Sequence, residues 1–168
     1  LWAADGRRLP VEIQSRRVEI AGETCIHHTI RDLSSALRER QWQRLFFELP
    51  FIGMAIVSPA TQRWIAVNDE LCRILGHPRE QLQAMTWLQL THPEDLASDL
   101  DLYNDVLEGR SDGYQSAKRF IHADGSVIHA AIDVRAVRKP DRSVDYFVAT
   151  IDDITGAVLA RRELERSR

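Results

Sequence analysis

In residues 127–137, VIHAAIDVRAV, every even position is apolar. Ile128, Ala130, Ile132, Val134 and Ala136 are apolar, while His129, Asp133 and Arg135 fall between them. A period of two fits a strand with one face in a core and the other in water; a helix would scatter the same residues around its axis. The run begins after the turn signal Asp124-Gly125 and ends at KPDRS. A second β-rich run, 144–152, follows, and a third, 114–122, precedes it. Three strands joined by tight turns predict an antiparallel meander.

The segments upstream complete the frame. Residues 52–58 and 63–67 read as two further strands. Asn68 is placed to cap a short helix that carries Leu71, Cys72 and Leu75 and stops at Gly76. Pro78 opens another short helix. Thr91-His92-Pro93-Glu94 has capping-box spacing, predicting Thr91 as N-cap of a long helix with Leu96, Leu100, Tyr103 and Leu107 on its apolar face. Glu94, Asp95 and Asp99 near its start suit the helix dipole. Strands first and last with helices between predict an α+β fold, one antiparallel sheet covered on one face.

The wording near the N-terminus repeats. ADGRRLPVEI (4–13) matches ADGSVIHAAI (123–132), and IRDLSSAL (30–37) matches IDDITGAV (151–158), each pair about 120 residues apart. Residues 1–32 read as strands with turns at Asp5-Gly6 and at Ala21-Gly22-Glu23, too little to bury a core. Residues 33–48 read as a helix capped by Asp32 or Ser34. The chain lacks an initiator Met and begins inside this pattern, so it reads as a piece of a longer protein.

Composition removes several classes. A net charge of −3 and a pI near 6.1 give no basic surface for nucleic acid. No apolar run reaches membrane-spanning length and no secretory signal is present, which points to the cytoplasm without direct membrane contact. Cys25 and Cys72 form no CxxC pair and read as two buried, reduced thiols, with no metal site. No serine or cysteine stands in a nucleophile–base pattern and no Gly-rich phosphate loop is present, so no catalytic residue is assigned and the fragment is not expected to be an enzyme.

From Phe47 to Thr155 the chain resembles a PAS domain with its C-terminal PAC motif. The matching stretches are LPFIGMAIVS, WIAVNDELCRILGHPREQL, THPEDLASDL, RFIHADGSV and IDDIT, in order and at the family's spacing. Residues 1–34 resemble the last strands of a preceding PAS domain. The resemblance implies a five-stranded antiparallel sheet of order 2-1-5-4-3 with helices on one face, and this organisation: a remnant over 1–34, a linker helix over 35–49, a PAS domain over 50–155 and the start of an outgoing helix over 156–168. It implies a bacterial sensory and dimerisation module controlling a separate output domain in the same chain, a diguanylate cyclase or phosphodiesterase of the GGDEF/EAL type or a histidine kinase. The alternative is a ligand-free spacer that only dimerises and transmits.

For the site, the resemblance sets Phe147, Ala149 and Ile151 of the last strand, Ala130, Ile132 and Val134 of the one before, and Phe120 toward the interior. Met54, Ile56, Ala66, Leu75, Trp87 and Leu90 are further wall candidates. The set reads as a filled core or as the wall of a cavity for a small apolar ligand. A covalent flavin would need its cysteine on another helix than the one bearing Cys72, and amides where Ala130, Phe120 and Ile151 stand. The histidines nearest the long helix, His92 and His77, sit at helix starts and suit capping better than haem ligation, so no cofactor is expected. Signal exit is assigned to Asp153-Ile154-Thr155, with Asp32-Leu33-Ser34 as the matching junction of the first repeat. A homodimer is expected through the linker helix and sheet, with Leu37, Trp42, Leu45 and Phe46 in contact.

Overall fold

The computed structural model describes residues 1, 2, 6, 8–20 and 23–167, without the side chains of residues 20, 38, 39, 42 and 46. The chain divides into two compact units, Leu1–Phe46 and Phe47–Arg168.

The first unit is a hairpin and a helix. Strands β1 (Val11–Ile20) and β2 (Glu23–Asp32) pair antiparallel, Val11 opposite Asp32 and Ile20 opposite Glu23. Helix α1 (Ser34–Phe47) follows. Every residue of β2 is exposed, Cys25 among them, which corrects the expectation of a buried thiol there. The predicted turns fall largely outside the described residues at Asp5, Ala21 and Gly22; Gly6 has φ of 79°.

The second unit holds β3 (Gly53–Val57), β4 (Trp64–Val67), α2 (Asp69–Leu75), α3 (Arg79–Ala84), α4 (Trp87–Leu90), α5 (Pro93–Leu107), β5 (Gly113–Ile121), β6 (Val127–Arg138), β7 (Val144–Asp153) and α6 (Thr155–Arg166). Its sheet is antiparallel in the order β4-β3-β7-β6-β5, the 2-1-5-4-3 order expected. The core lies between its inner face and α2–α5.

Local chemistry explains the element ends. Asn68 is wholly buried. Its Oδ1 accepts from Leu71 N at 3.0 Å, capping α2, and from Met54 N at 2.8 Å; its Nδ2 donates to Ile52 O at 2.9 Å. One side chain thus starts a helix and pins strand β3. Gly76 closes α2 at φ 74°, and a Cβ there would meet the His122 ring at 2.2 Å, so both backbone sign and space require glycine.

The start of α5 differs from expectation. His92 is the N-cap, its Nδ1 accepting from Glu94 N at 3.3 Å. Thr91 instead ends α4, and its Oγ1 donates to Trp87 O at 2.9 Å. The capping box lies one helix earlier, between Thr86 and Gln89. The buried stripe of α5 is Asp99, Tyr103 and Val106. Leu96 and Leu100 are only partly buried, and Leu107 is exposed. Asp99 therefore faces the core rather than serving the helix dipole.

Candidate functional site

All five strands of the second unit, with α4 and α5, close around a cavity of about 30 Å³. Its wall is Val57, Trp64, Trp87, Tyr103, Tyr114, Lys118, Phe120, Ile132, Val134, Phe147, Ala149 and Ile151. Alternation puts them there: on β5, Tyr114, Lys118 and Phe120 share one parity, as do Ile132 and Val134 on β6 and Phe147, Ala149 and Ile151 on β7. The aromatic rings pack in sequence, Trp87 to Tyr103 at 5.2 Å and Tyr103 to Phe147 at 4.7 Å between centroids. The Tyr103 hydroxyl donates to Pro59 O at 3.3 Å, and burial pushes its pKa up to about 12.

Seven wall candidates read from the sequence meet at this cavity: Trp87, Phe120, Ile132, Val134, Phe147, Ala149 and Ile151. Leu75, Leu90 and Ala130 are buried core residues away from it. Met54 and Ile56 do not line it, because β3 turns Gly53, Ala55 and Val57 inward and so directs its larger residues the other way. Ala66 is half-buried on the short strand β4, whose Trp64 supplies the wall.

The polar end was not anticipated. Lys118 is 7% exposed. Its Nζ donates to Asp99 Oδ2 and to Thr91 Oγ1 at 3.1 Å, and lies 4.8 Å from the Trp87 ring centre and 4.5 Å from that of Phe120. Burial lowers the Lys118 pKa, against the pull of the Asp99 charge. The Tyr114 hydroxyl faces the same carboxylate; burial first, then the charge of Asp99, raise its pKa. Two buried polar atoms have no partner within hydrogen-bond geometry among the described residues: Trp64 Nε1 and Asp99 Oδ1. The signal for the pair was present. Lys118 shares the parity of Phe120 on β5, and Asp99 stands four residues before Tyr103 on α5, so both charges face inward.

A second depression of about 250 Å³ lies at the foot of α6, bordered by Asp95, Lys118, Arg119, His129, Ile154, Val158 and Arg162 among others. The Arg119 guanidinium reaches Asp95 at 2.7 Å and Glu94 at 2.9 Å, and holds the Asp95 carboxyl down to about 2. At the junction itself Ile154 N donates to His129 O at 2.9 Å, and Thr155 Oγ1 accepts from His129 N at 3.0 Å. Asp153 Oδ1 accepts from Thr155 N at 2.9 Å. The threonine therefore ties the helix back to β6 instead of capping its own turn. In the first unit Leu33 N donates to Pro10 O at 2.9 Å and Ser34 N to Asp32 Oδ1 at 2.7 Å, the same two bonds at matching positions. Leu37 and Leu45 are exposed; the side chains of Trp42 and Phe46 lie outside the described part.

The second unit is thus a curved sheet packed over a small cavity, with an outgoing helix rooted on one of its wall strands, the arrangement of a sensory domain. A family model of the PAS fold matches residues 65–151, just over half of the chain, and the chain belongs to that family. It is 39% identical over 107 residues to the probable diguanylate cyclase DgcE of Escherichia coli K12, covering 64% of this chain and 10% of that protein. Among solved structures it resembles a PAS domain from Colwellia psychrerythraea (TM-score 0.63, 15% identity, 70% of this chain and 98% of that one). It also resembles the N-terminal domain of a diguanylate cyclase with PAS/PAC sensor from Marinobacter aquaeolei (TM-score 0.55, 19% identity, 61% and 94%). Among the described residues no helix is long and apolar enough to cross a membrane.

Proposed function

We propose that the chain is a cytoplasmic sensory module that reads the occupancy of its cavity and relays it through α6 to an output domain in the same polypeptide. Strand β6 carries this reading. It gives Ile132 and Val134 to the cavity wall, and three residues upstream His129 holds the root of α6 through both its N–H and its C=O. An occupant that displaces β6 moves the helix root with it, with no other element between. Lys118 borders both the cavity and the depression beside α6, a second route along β5. The likeness to DgcE favours cyclic di-GMP synthesis as the output, with a histidine kinase as the next choice. Haem held by His92 and a covalent flavin on Cys72 are not part of this reading, since neither residue borders the cavity.

The first unit fits the last two strands of a preceding PAS domain. Val11 pairs with Asp32 as Ala130 pairs with Asp153, so the two hairpins share one register. In that register the exposed Ile13, Ile26 and Ile30 occupy the places where the second unit buries Ile132, Phe147 and Ile151. These are core residues whose core is not in this segment. Dimerisation through α1 and the sheet, with Leu37, Trp42, Leu45 and Phe46 in contact, is part of the same reading; sedimentation showing only monomer at high micromolar concentration rejects it.

One observation favours the ligand-free spacer: about 30 Å³ is the volume of one water molecule in the liquid. The two readings separate when residues 47–155 replace the matching segment of DgcE and cyclic di-GMP is measured. Ile132→Trp, which fills the cavity, changes output at least threefold under the sensor reading and leaves it unchanged under the spacer reading.

A further inference from the structure

We propose, resting on the reading of β1 and β2 as the last strands of a preceding PAS domain, that this preceding domain binds a small carboxylate with an apolar tail, held by Arg17 and by His28, which Ser15 orients. The two hairpins compare pair by pair. Ile13 opposite Ile30 stands where the second unit has Ile132 opposite Ile151, and both units keep that pair apolar. One step along the same face they part. Ser15 opposite His28 stands where the second unit has Val134 opposite Ala149, two residues of its cavity wall. One step further, Arg17 opposite Ile26 replaces Ala136 opposite Phe147. Side chains two apart on a strand share a side, so the face that holds the three isoleucines also holds Ser15, Arg17 and His28. The next pair on it, Glu19 with Thr24, falls at the turn end, level with Arg138, which is no part of the cavity wall.

Three properties narrow the class. Hydrogen-bonding sense is the first. Ser15 Oγ and His28 Nδ1 lie 2.8 Å apart. A hydroxyl donating to Nδ1 leaves the ring proton on Nε2, so the free edge of the imidazole is a donor, and a guanidinium offers donors only. Residues two apart on a strand are roughly 7 Å apart, within the reach of an arginine side chain, so one small ligand meets both groups. Charge is the second. A carboxylate is a planar monoanion that fits the guanidinium fork and matches its single charge, whereas a phosphate monoester brings about −1.5 to −2. The last is the bed beside these donors: Ile13, Ile26 and Ile30 suit an apolar tail. Val134 and Ala149 give the second unit no such donors, which assigns this site to the preceding domain alone.

The test uses the parent polypeptide with the domain ahead of β1 included. Butyrate is the probe, and butyramide, of the same shape without the charge, is the control. Calorimetry is expected to give saturable butyrate binding with a midpoint no weaker than about 1 mM, and butyramide at least tenfold weaker. His28→Leu and Arg17→Met are each expected to weaken butyrate at least fivefold. Ser15→Ala is expected to weaken it at least threefold, and Ser15→Thr, which keeps the hydroxyl, to restore it. Hydrogen exchange at the amides of β1 and β2 reports whether the preceding domain has closed over the hairpin. With those amides protected, three results overturn the carboxylate and leave the preceding domain standing: no butyrate binding, butyramide or inorganic phosphate binding as well as butyrate, or butyrate binding that survives both His28→Leu and Arg17→Met. Amides that exchange as in an open hairpin overturn the preceding domain and the ligand together.

Discussion

Asn68 joins three backbone groups from separate segments: the N–H of Leu71, the N–H of Met54 and the C=O of Ile52. Alanine there removes a helix cap and strands two part-buried strand-end groups. A cap alone is worth about 1 kcal/mol and each orphaned group about 1–3. Both strand-end bonds are part-buried, so the lower ends apply, and Asn68→Ala is expected to destabilise the second unit by about 3 kcal/mol, read as a fall in urea midpoint at constant slope. A loss under about 1 kcal/mol would mean that water replaces the side chain at all three contacts. The capping role was legible, since an Asn before a run of helix formers is a local signal. The bonds to β3 were not, because they join residues 14 and 16 positions apart and nothing local encodes them.

At the scale of elements, α5 is joined to β5 by charge at two depths. The inner pair, Lys118 with Asp99, is buried, and such a pair stabilises little over a well-packed apolar substitute, although breaking it costs several kcal/mol. Through Lys118 the pair shapes one end of the cavity wall. The outer pair, Arg119 with Asp95, is part-exposed and acts through titration. The Asp95 carboxyl titrates near 2 when folded, below its unfolded value of 3.8. A depressed acid contributes stability that is fully present above the unfolded pKa and lost as pH falls through the folded one. Asp95→Asn is thus expected to be less stable than the parent chain at pH 7, with the gap closing between about pH 4 and pH 2. Chemical denaturation at stepped pH measures it; a gap of constant size down to pH 2 would show that Asp95 acts as a neutral hydrogen-bonding group. Parity along β6 made its cavity-facing residues readable from the sequence, while Phe120 of β5 and the β7 residues came from the resemblance. The inward turn of β3 was misread because that strand hides its small residues, Gly53 and Ala55, and shows its large ones, Met54 and Ile56, to the other side. The α5 stripe was misread for a related reason: an aspartate at a core position looks like a helix-start charge until its lysine is found across the sheet.

For the whole molecule, the second unit is a PAS module and the hairpin of the first unit shares the register of that module's closing hairpin. The repeat was visible as two copies of the same words, and the bonds of Leu33 and Ile154 to the carbonyls of Pro10 and His129 give those words a common geometry. If β6 is the shared member of cavity and exit, the contact between Thr155 Oγ1 and His129 N is where the two communicate. Thr155→Val keeps the shape and the branched β-carbon and deletes only that acceptor. The backbone bond from Ile154 N to His129 O remains, so the helix root loosens without detaching. A lost hydrogen bond of about 1 kcal/mol corresponds to roughly a fivefold rise in local opening. Hydrogen exchange is expected to quicken by about that factor across α6 and at His129, while the amides of β7 exchange as before. Unchanged α6 amides would mean that the helix is held elsewhere, and uniform acceleration across the sheet would mean that Thr155 stabilises the fold rather than the connection. In the DgcE graft the same substitution should then blunt the response to Ile132→Trp, because a wall that still moves no longer pulls on the helix it was tied to.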